Sequence, residues 1–321
     1  MTQPPEAPTS APAAACGEES SPVLAPAGDA ESRLRLKLGI AYDGTDFHGW
    51  AAQGASELRT VQKTIEDAFA LITRVHCPLT VAGRTDAGVH AAGQVAHVDI
   101  PRAFLETRSV GGDVSNLVRR LARLLPQDVR ITSVEEAAPG FDARFSALAR
   151  TYHYRVTTAP AGPLPTRARD TAHWAKPIDV ALLKQAAGQF VGLHDFAAVC
   201  KHKEGATTIR HLQAFDFADI STPLEPQLYQ ATVTADAFCW NMVRCLVGAS
   251  LAVAEGRRPV DFPTQLLQET QRSPLVPLAP ACGLSLVRVD YPADAELSAR
   301  AQLTRAKRSA ADLDVPGGQL M

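Results

Sequence analysis

The sequence predicts an α+β fold: a mostly antiparallel sheet with helices on one face, built as two split βαβ-like lobes. Three observations point there. The first half runs strand, helix, strand, strand, helix, strand, and a similar order returns in the second half. Long connections that carry a helix alternate with strands that follow one another closely. Neither a G-x-G-x-x-G fingerprint nor a P-loop occurs, which disfavours a nucleotide cofactor.

The elements read in order as follows. Residues 1–33 are rich in Ala and Pro, with five acids against one base, and are expected to be disordered. They show no basic n-region or apolar h-region, so they do not read as a signal peptide. Leu34, Leu36, Leu38 and Ile40 then alternate with Arg35, Lys37 and Gly39, a period-two strand. A turn-rich stretch follows, Tyr42-Asp43-Gly44-Thr45-Asp46-Phe47-His48-Gly49-Trp50. Thr60 caps a helix with Val61, Ile65, Ala68, Phe69 and Ile72 on one face. An apolar run, Leu79 to Ala82, enters the loop Gly83-Arg84-Thr85-Asp86-Ala87-Gly88-Val89-His90-Ala91-Ala92-Gly93, and an alternating strand, Gln94 to Ile100, leaves it.

Asn116 to Leu125 reads as a helix ended by Pro126, with Arg119, Arg120 and Arg123 together on one face. Val129, Ile131 and Val134 suggest a strand. Arg150 to Thr157 is another, with Tyr152, Tyr154 and Val156 on one side and Thr151, His153 and Arg155 on the other. A Pro-rich loop covers 159–170, and 178–190 is an amphipathic helix. Ile209 to Ile220 and Leu228 to Ala235 look like paired strands. Asn241 to Glu255 is a strongly apolar helix, Leu284 to Val289 a final strand, and 294–321 a basic helical segment containing Arg300, Arg305, Lys307 and Arg308 with a Gly-rich end.

Bulk properties narrow the function classes. No apolar run approaches the roughly eighteen residues of a membrane span. Net charge is −2; the first 33 residues carry −4, which leaves +2 for the rest. That balance permits a nucleic-acid partner without arguing for one. Cys16, Cys77, Cys200, Cys239, Cys245 and Cys282 are scattered, with no C-x-x-C pair and no zinc-finger spacing. They read as reduced thiols of a cytoplasmic protein. No metal site is expected.

Chemistry concentrates in a few places. Asp86 sits in a loop with three glycines and one guanidinium, Arg84. An Asp in such a loop most often binds its own backbone amides; Arg84 favours an ionised, directed carboxylate instead. Arg244 lies within Met-Val-Arg-Cys-Leu-Val, where burial needs a partner. Either it snorkels to solvent or it pairs with an acid, for which Asp86, Asp43, Asp46 and Asp236 compete. Alternating tyrosines such as Tyr152 and Tyr154 most often serve cross-strand packing, with stacking on a base as the second reading. The histidines form no metalloprotease pattern, and no Ser sits in a G-x-S-x-G elbow.

The loop GRTDAGVHAAGQV resembles the catalytic loop of the tRNA pseudouridine synthase A family, and further motifs match in order. These are YDGTDFHGW at 42–50, TVQ at 60–62, FDARFSALARTYHYR at 141–155, HDF at 194–196, DAFCWNMVRCLVG at 236–248 and APACGLSLVRVDYP at 279–292. The resemblance covers residues 34 to 292. It implies two α/β lobes sharing a central mostly antiparallel sheet, with the active-site cleft between them. It implies Asp86 as the catalytic carboxylate, Arg84 and Arg244 as its supporting residues, and Tyr152 as the residue that stacks on the target base. It also implies a homodimer without metal or organic cofactor, acting on uridines thirty-eight to forty in the tRNA anticodon arm. The chain departs from the family pattern at Ala51, where Gln is usual, in LARLLPQDV, at Ser285, and in Val199 to Lys203.

The expected division is a tail at 1–33, an N-terminal domain with the Asp86 loop at 34–145, a C-terminal domain at 146–293 and a basic tail at 294–321. Arg119, Arg120, Arg123, Lys201, Lys203 and Arg210 are candidates for contacting RNA phosphates. Two rival readings are a non-catalytic tRNA-binding or folding protein on the same scaffold, and an enzyme acting on small nucleosides. His90 takes a structural reading.

Overall fold

The computed structural model describes residues 33–51, 58–108, 110–201 and 207–305. Lys203, the tail before Arg33 and the basic residues Lys307 and Arg308 lie outside the described residues. The elements are β1 (Arg33–Tyr42), α1 (Val61–Thr73), β2 (Leu79–Val81), β3 (His90–Pro101), α2 (Asn116–Ala122), β4 (Val129–Glu136), β5 (Ala149–Thr157) and β6 (Ala172–His173). They continue with α3 (Val180–Gly188), β7 (Gly192–Asp195), β8 (Ile209–Asp219), β9 (Leu228–Ala235), α4 (Met242–Ala254), α5 (Phe262–Leu266), β10 (Leu284–Asp290) and α6 (Leu297–Arg305).

The strands form one ten-stranded sheet in the order β4-β1-β3-β10-β5-β9-β8-β7, with β2 on β3 and β6 on β5. Pairing is antiparallel except at β10–β3 and β5–β6. The fold is therefore α+β with a mostly antiparallel sheet, as the element order predicts. The two sets of consecutive strands, β1–β4 and β5–β9, meet in the sheet only through β10.

The alternation in β1 fixes its register. Leu36, Leu38 and Ile40 are fully buried and pair with β3 at Val98, Ala96 and Gln94. On the opposite face Arg35 makes a two-pronged ion pair with its cross-strand neighbour Asp99, both contacts at 2.8 Å. Helix ends follow local rules. The Thr60 side chain accepts from Lys63 N–H at the start of α1, and Arg74 stops it in the left-handed region. Asp179 caps α3 by accepting from the N–H groups of Ala181 and Leu182.

In α4 every residue except Arg244 is buried. Tyr152, Tyr154 and Val156 of β5 belong to the same large core as Met242, Leu246 and Leu251. Burial at this scale, roughly 25 cal/mol per Å² of apolar surface, is the main force holding helix to sheet.

Three features differ from the sequence expectations. The strand after the Asp86 loop starts at His90, not Gln94, so Gly93 is a strand residue. Its hydrogen is needed because a Cβ there would lie 2.0 Å from the Val287 carbonyl oxygen of β10. Cys200 and Cys239 are not separate thiols but a disulfide, with Cα atoms 5.8 Å apart. Their 39-residue separation left no short-range spacing to read. Finally, the basic segment, helical as expected over α6, is packed onto the fold: Leu297 packs with Phe141, and its carbonyl accepts from Ser146 Oγ at 3.1 Å.

Candidate active site

The loop from Gly83 to Val89 is tied down along its length. Gln94, fully buried, donates to the Gly83 carbonyl at 2.7 Å. The Tyr42 hydroxyl and Thr85 Oγ1 are 2.7 Å apart in the interior. The Thr85 carbonyl accepts from Trp50 N–H at 3.0 Å, so the turn-rich stretch 42–50 forms one wall of the loop. Val89 N–H closes back on the Asp86 carbonyl at 3.1 Å, a turn that Gly88 completes at φ 75°. At the loop's entrance Arg150 donates to the Ala82 carbonyl at 2.8 Å. A loop this constrained presents one side chain in a fixed direction.

That side chain is Asp86, half-buried. Burial raises its carboxyl above the ordinary carboxylate range. Three groups oppose the rise: the Arg244 guanidinium most strongly, then a hydrogen bond from Trp240, then the Lys201 ammonium. Among the acids competing for Arg244, Asp43 and Asp46 both bind Arg169 at 2.9 Å, and Asp236 accepts from the N–H groups of His211 and Ala237. The acid in the field of Arg244 is Asp86. Arg244 is itself aimed by its Nε, which donates to the Ala279 carbonyl at 2.7 Å. Arg84 is exposed, and the cations acting on Asp86 are Arg244 and Lys201.

Tyr152 lines the same place. A side chain begun at Gly83 would lie 3.9 Å from its hydroxyl, and its phenol feels the Asp86 charge. Its ring meets Phe238 edge-on at 5.1 Å. Burial raises the phenol well above its usual range, so Tyr152 stays protonated near neutral pH.

Two contributors were not singled out from sequence. Trp240 projects from the turn ahead of α4, where Asn241 takes φ 68°, a conformation Asn tolerates. Trp240 is half-exposed, and Lys201 Nζ sits 4.1 Å from its ring centroid. Arg150 is buried, and its guanidinium serves the carbonyls of Ala82, Arg144 and Asp236. The residues flanking Trp240 were quoted as motif, but only the fold brings them to Asp86.

Of the candidate RNA contacts, Lys201 joins the site. Arg119 and Arg123 are exposed on and just after α2, and Arg120 lies over the Phe104 ring at 5.7 Å. The Arg210 guanidinium donates to the carbonyls of Ile209 and Thr207. His90 bridges two walls: its Nδ1 accepts from Gly44 N–H at 3.0 Å and its Nε2 meets the Cys282 carbonyl at 3.1 Å. Among the described residues no group of His, Cys, Asp and Glu could hold a metal ion, and no helix is long and apolar enough to cross a membrane.

This arrangement offers an ionisable carboxylate with a cation and an indole donor on one side and an aromatic phenol on the other. Residues 186–292 match a family model described as tRNA pseudouridine synthase, a stretch that holds Trp240 and Arg244 but not Asp86. The chain is 60% identical over 279 residues to the tRNA pseudouridine synthase A of Corynebacterium glutamicum, covering 87% of this chain and 96% of that protein. It is 51% identical to the protein of that name from Frankia casuarinae and 48% identical to that from Mycobacterium leprae, covering 86% of this chain and 96% of each relative.

Proposed function

The chain belongs to the tRNA pseudouridine synthase A family, and we propose on that basis that it isomerises uridine to pseudouridine at positions thirty-eight to forty of the tRNA anticodon stem-loop, with Asp86 as the essential carboxylate. The observation that carries this reading is the half-buried Asp86 under the combined influence of Arg244, Trp240 and Lys201, beside Tyr152.

The reaction breaks the N1–C1′ bond, turns the uracil, and forms C5–C1′. The proton leaves C5 and N1 gains one, so no redox partner is required. Three roles suit an ionised Asp86: addition to C6 of the base, attack at C1′, or removal of a proton from C2′ of the ribose. Each needs the carboxylate charged at neutral pH, and Arg244 is the main group keeping it so. Tyr152 stacks on the base; as a buried, protonated phenol it suits that role better than proton removal from C5. Arg84, exposed at the loop surface, suits contact with the RNA backbone more than support of the carboxylate. A target within a stem must be extruded before reaction.

We further propose a cytoplasmic homodimer with domains at 34–145 and 146–293. The deciding experiment is tritium release from uracil-labelled tRNA with mapping of the product by primer extension. The wild-type protein is expected to release tritium at the anticodon positions, and Asp86→Asn to bind tRNA without turnover. A wild-type protein that binds without release would favour the non-catalytic tRNA-folding reading, and turnover by Asp86→Asn would remove the carboxylate role.

A further inference from the structure

Two residues that act on Asp86, Lys201 and Trp240, each directly follow a cysteine of the Cys200–Cys239 pair. Cys200 is buried at 1% exposure, while Cys239 is half-buried. Cross-linking them joins the short helix Ala197–Val199 to the turn that opens α4. The other links between Lys201 and Trp240 are non-covalent ones. Lys201 N–H donates to the Trp240 carbonyl at 2.9 Å, and Lys201 Nζ lies over the indole.

We propose that Cys200 and Cys239 form a redox switch on the active site: the disulfide clamps Lys201 and Trp240 beside Asp86, and the dithiol releases them. The inference rests on the reading of Asp86 as the reacting carboxylate. The oxidant is a low-molecular-weight disulfide, RSSR. The Cys239 thiolate, the more accessible, attacks it and expels RS⁻, leaving a mixed disulfide. Cys200, deprotonated, then attacks the Cys239 sulfur and expels the second RS⁻. The two protons from the cysteines finish on two RSH, so the pair is oxidised by two electrons and RSSR reduced by two. In a reducing compartment the dithiol is the resting form and the clamp is transient.

The consequence is local. The charged and titratable groups facing Asp86 are Arg244 from α4, Lys201 after the short helix and Tyr152 from β5, with Arg84 exposed on its own loop. Reduction loosens Lys201, along with the neutral donor Trp240, and leaves Arg244 and Tyr152 in place. The ionised form of Asp86 then loses support, and the acid limb of the rate profile moves upward.

The test uses the full-length protein, oxidised with glutathione disulfide or reduced with dithiothreitol. The state of the pair is read by alkylation and mass spectrometry. The pH profile of kcat/KM on tRNA should shift upward on reduction by about one pH unit, the size of losing one hydrogen bond to a charged group. Fluorine NMR of protein carrying 5-fluorotryptophan, with the Trp240 signal assigned by Trp240→Phe, follows the same titration without catalysis. A Cys200→Ser/Cys239→Ser variant should behave as the reduced protein and ignore dithiothreitol. Failure of the disulfide to form, or identical Trp240 titrations in both states, overturns the switch. A Trp240 signal that responds to redox state in a protein without pseudouridine formation overturns the functional reading instead.

Discussion

Arg150 donates to the Ala82 carbonyl at 2.8 Å, and so ties β5 to the residue just before the loop that carries Asp86. The same guanidinium also serves the carbonyls of Arg144 and Asp236, and burial lowers its pKa. Arg150→Leu removes the donor from three carbonyls at once, that of Ala82 in the interior and those of Arg144 and Asp236 partly buried. Unfolding by urea should show a loss of about 1–3 kcal/mol, the cost of leaving one buried group unsatisfied. Arg150→Lys, with one compact ammonium, should recover part of it. Equal stability in all three proteins would remove this role.

Asp86→Asn should stabilise the protein near neutral pH while ending turnover. The sign follows from burial: the folded carboxyl is raised above its unfolded value of 3.8, so the folded state resists losing the proton. That contribution is fully present below 3.8 and is lost as pH rises through the folded value. The stability gain of Asp86→Asn therefore appears at neutral pH and shrinks on acidification toward 3.8, which thermal melts at several pH values would reveal.

Replacing Arg244 with Gln removes the strongest charge favouring the Asp86 carboxylate. The acid limb of kcat/KM should rise by about one pH unit or more, as for a carboxylate losing an adjacent cation. Arg244→Lys should shift it less. A fall in kcat/KM with no change in the limb would instead assign Arg244 to tRNA binding.

Gly93→Ala should destabilise by about 1–3 kcal/mol or more, because its Cβ would enter the Val287 carbonyl oxygen at 2.0 Å. The strain falls where β3 meets β10. Hydrogen exchange should therefore accelerate at Ser285 and Leu286 before it does in β8 or β9.

Replacing Arg119 and Arg123 together by Ala should lower the slope of log affinity against log salt by about two, if both meet phosphates. An unchanged slope would place the tRNA elsewhere.

Local order was legible because it depends on neighbours in sequence. The alternation of Leu36, Leu38 and Ile40 and the cap at Thr60 are short-range signals, and so is the apolar run of α4. The need of Arg244 for an acid was also legible, but not which acid: that choice depends on how α4 approaches the loop. Gly93 read as a loop glycine because the carbonyl that excludes its side chain comes from Val287, far along the chain. Trp240 and the Cys200–Cys239 pair were silent for the same reason: indole and thiol acquire meaning here from what the fold sets beside them. Arg84 lies two residues from Asp86 in sequence, but facing is set in space, and there Arg84 is exposed.

The position of β10 sets a timetable for the molecule's birth. Chain leaving the ribosome can pair β1 with β3 and β5 with β9 early, yet the strand that belongs between β3 and β5 is the last of the ten to be made. Until Leu284–Asp290 emerges, the Asp86 loop and Tyr152 sit on two unjoined sheets, with β3 open beside His90 and Ala91 and β5 open from Ala149 to Tyr154. A nascent chain stalled before that point carries nearly every residue of the candidate site with two exposed edges and no assembled centre. Such a chain exposes strand edges of the kind chaperones bind, and the candidate site assembles only once β10 has been made.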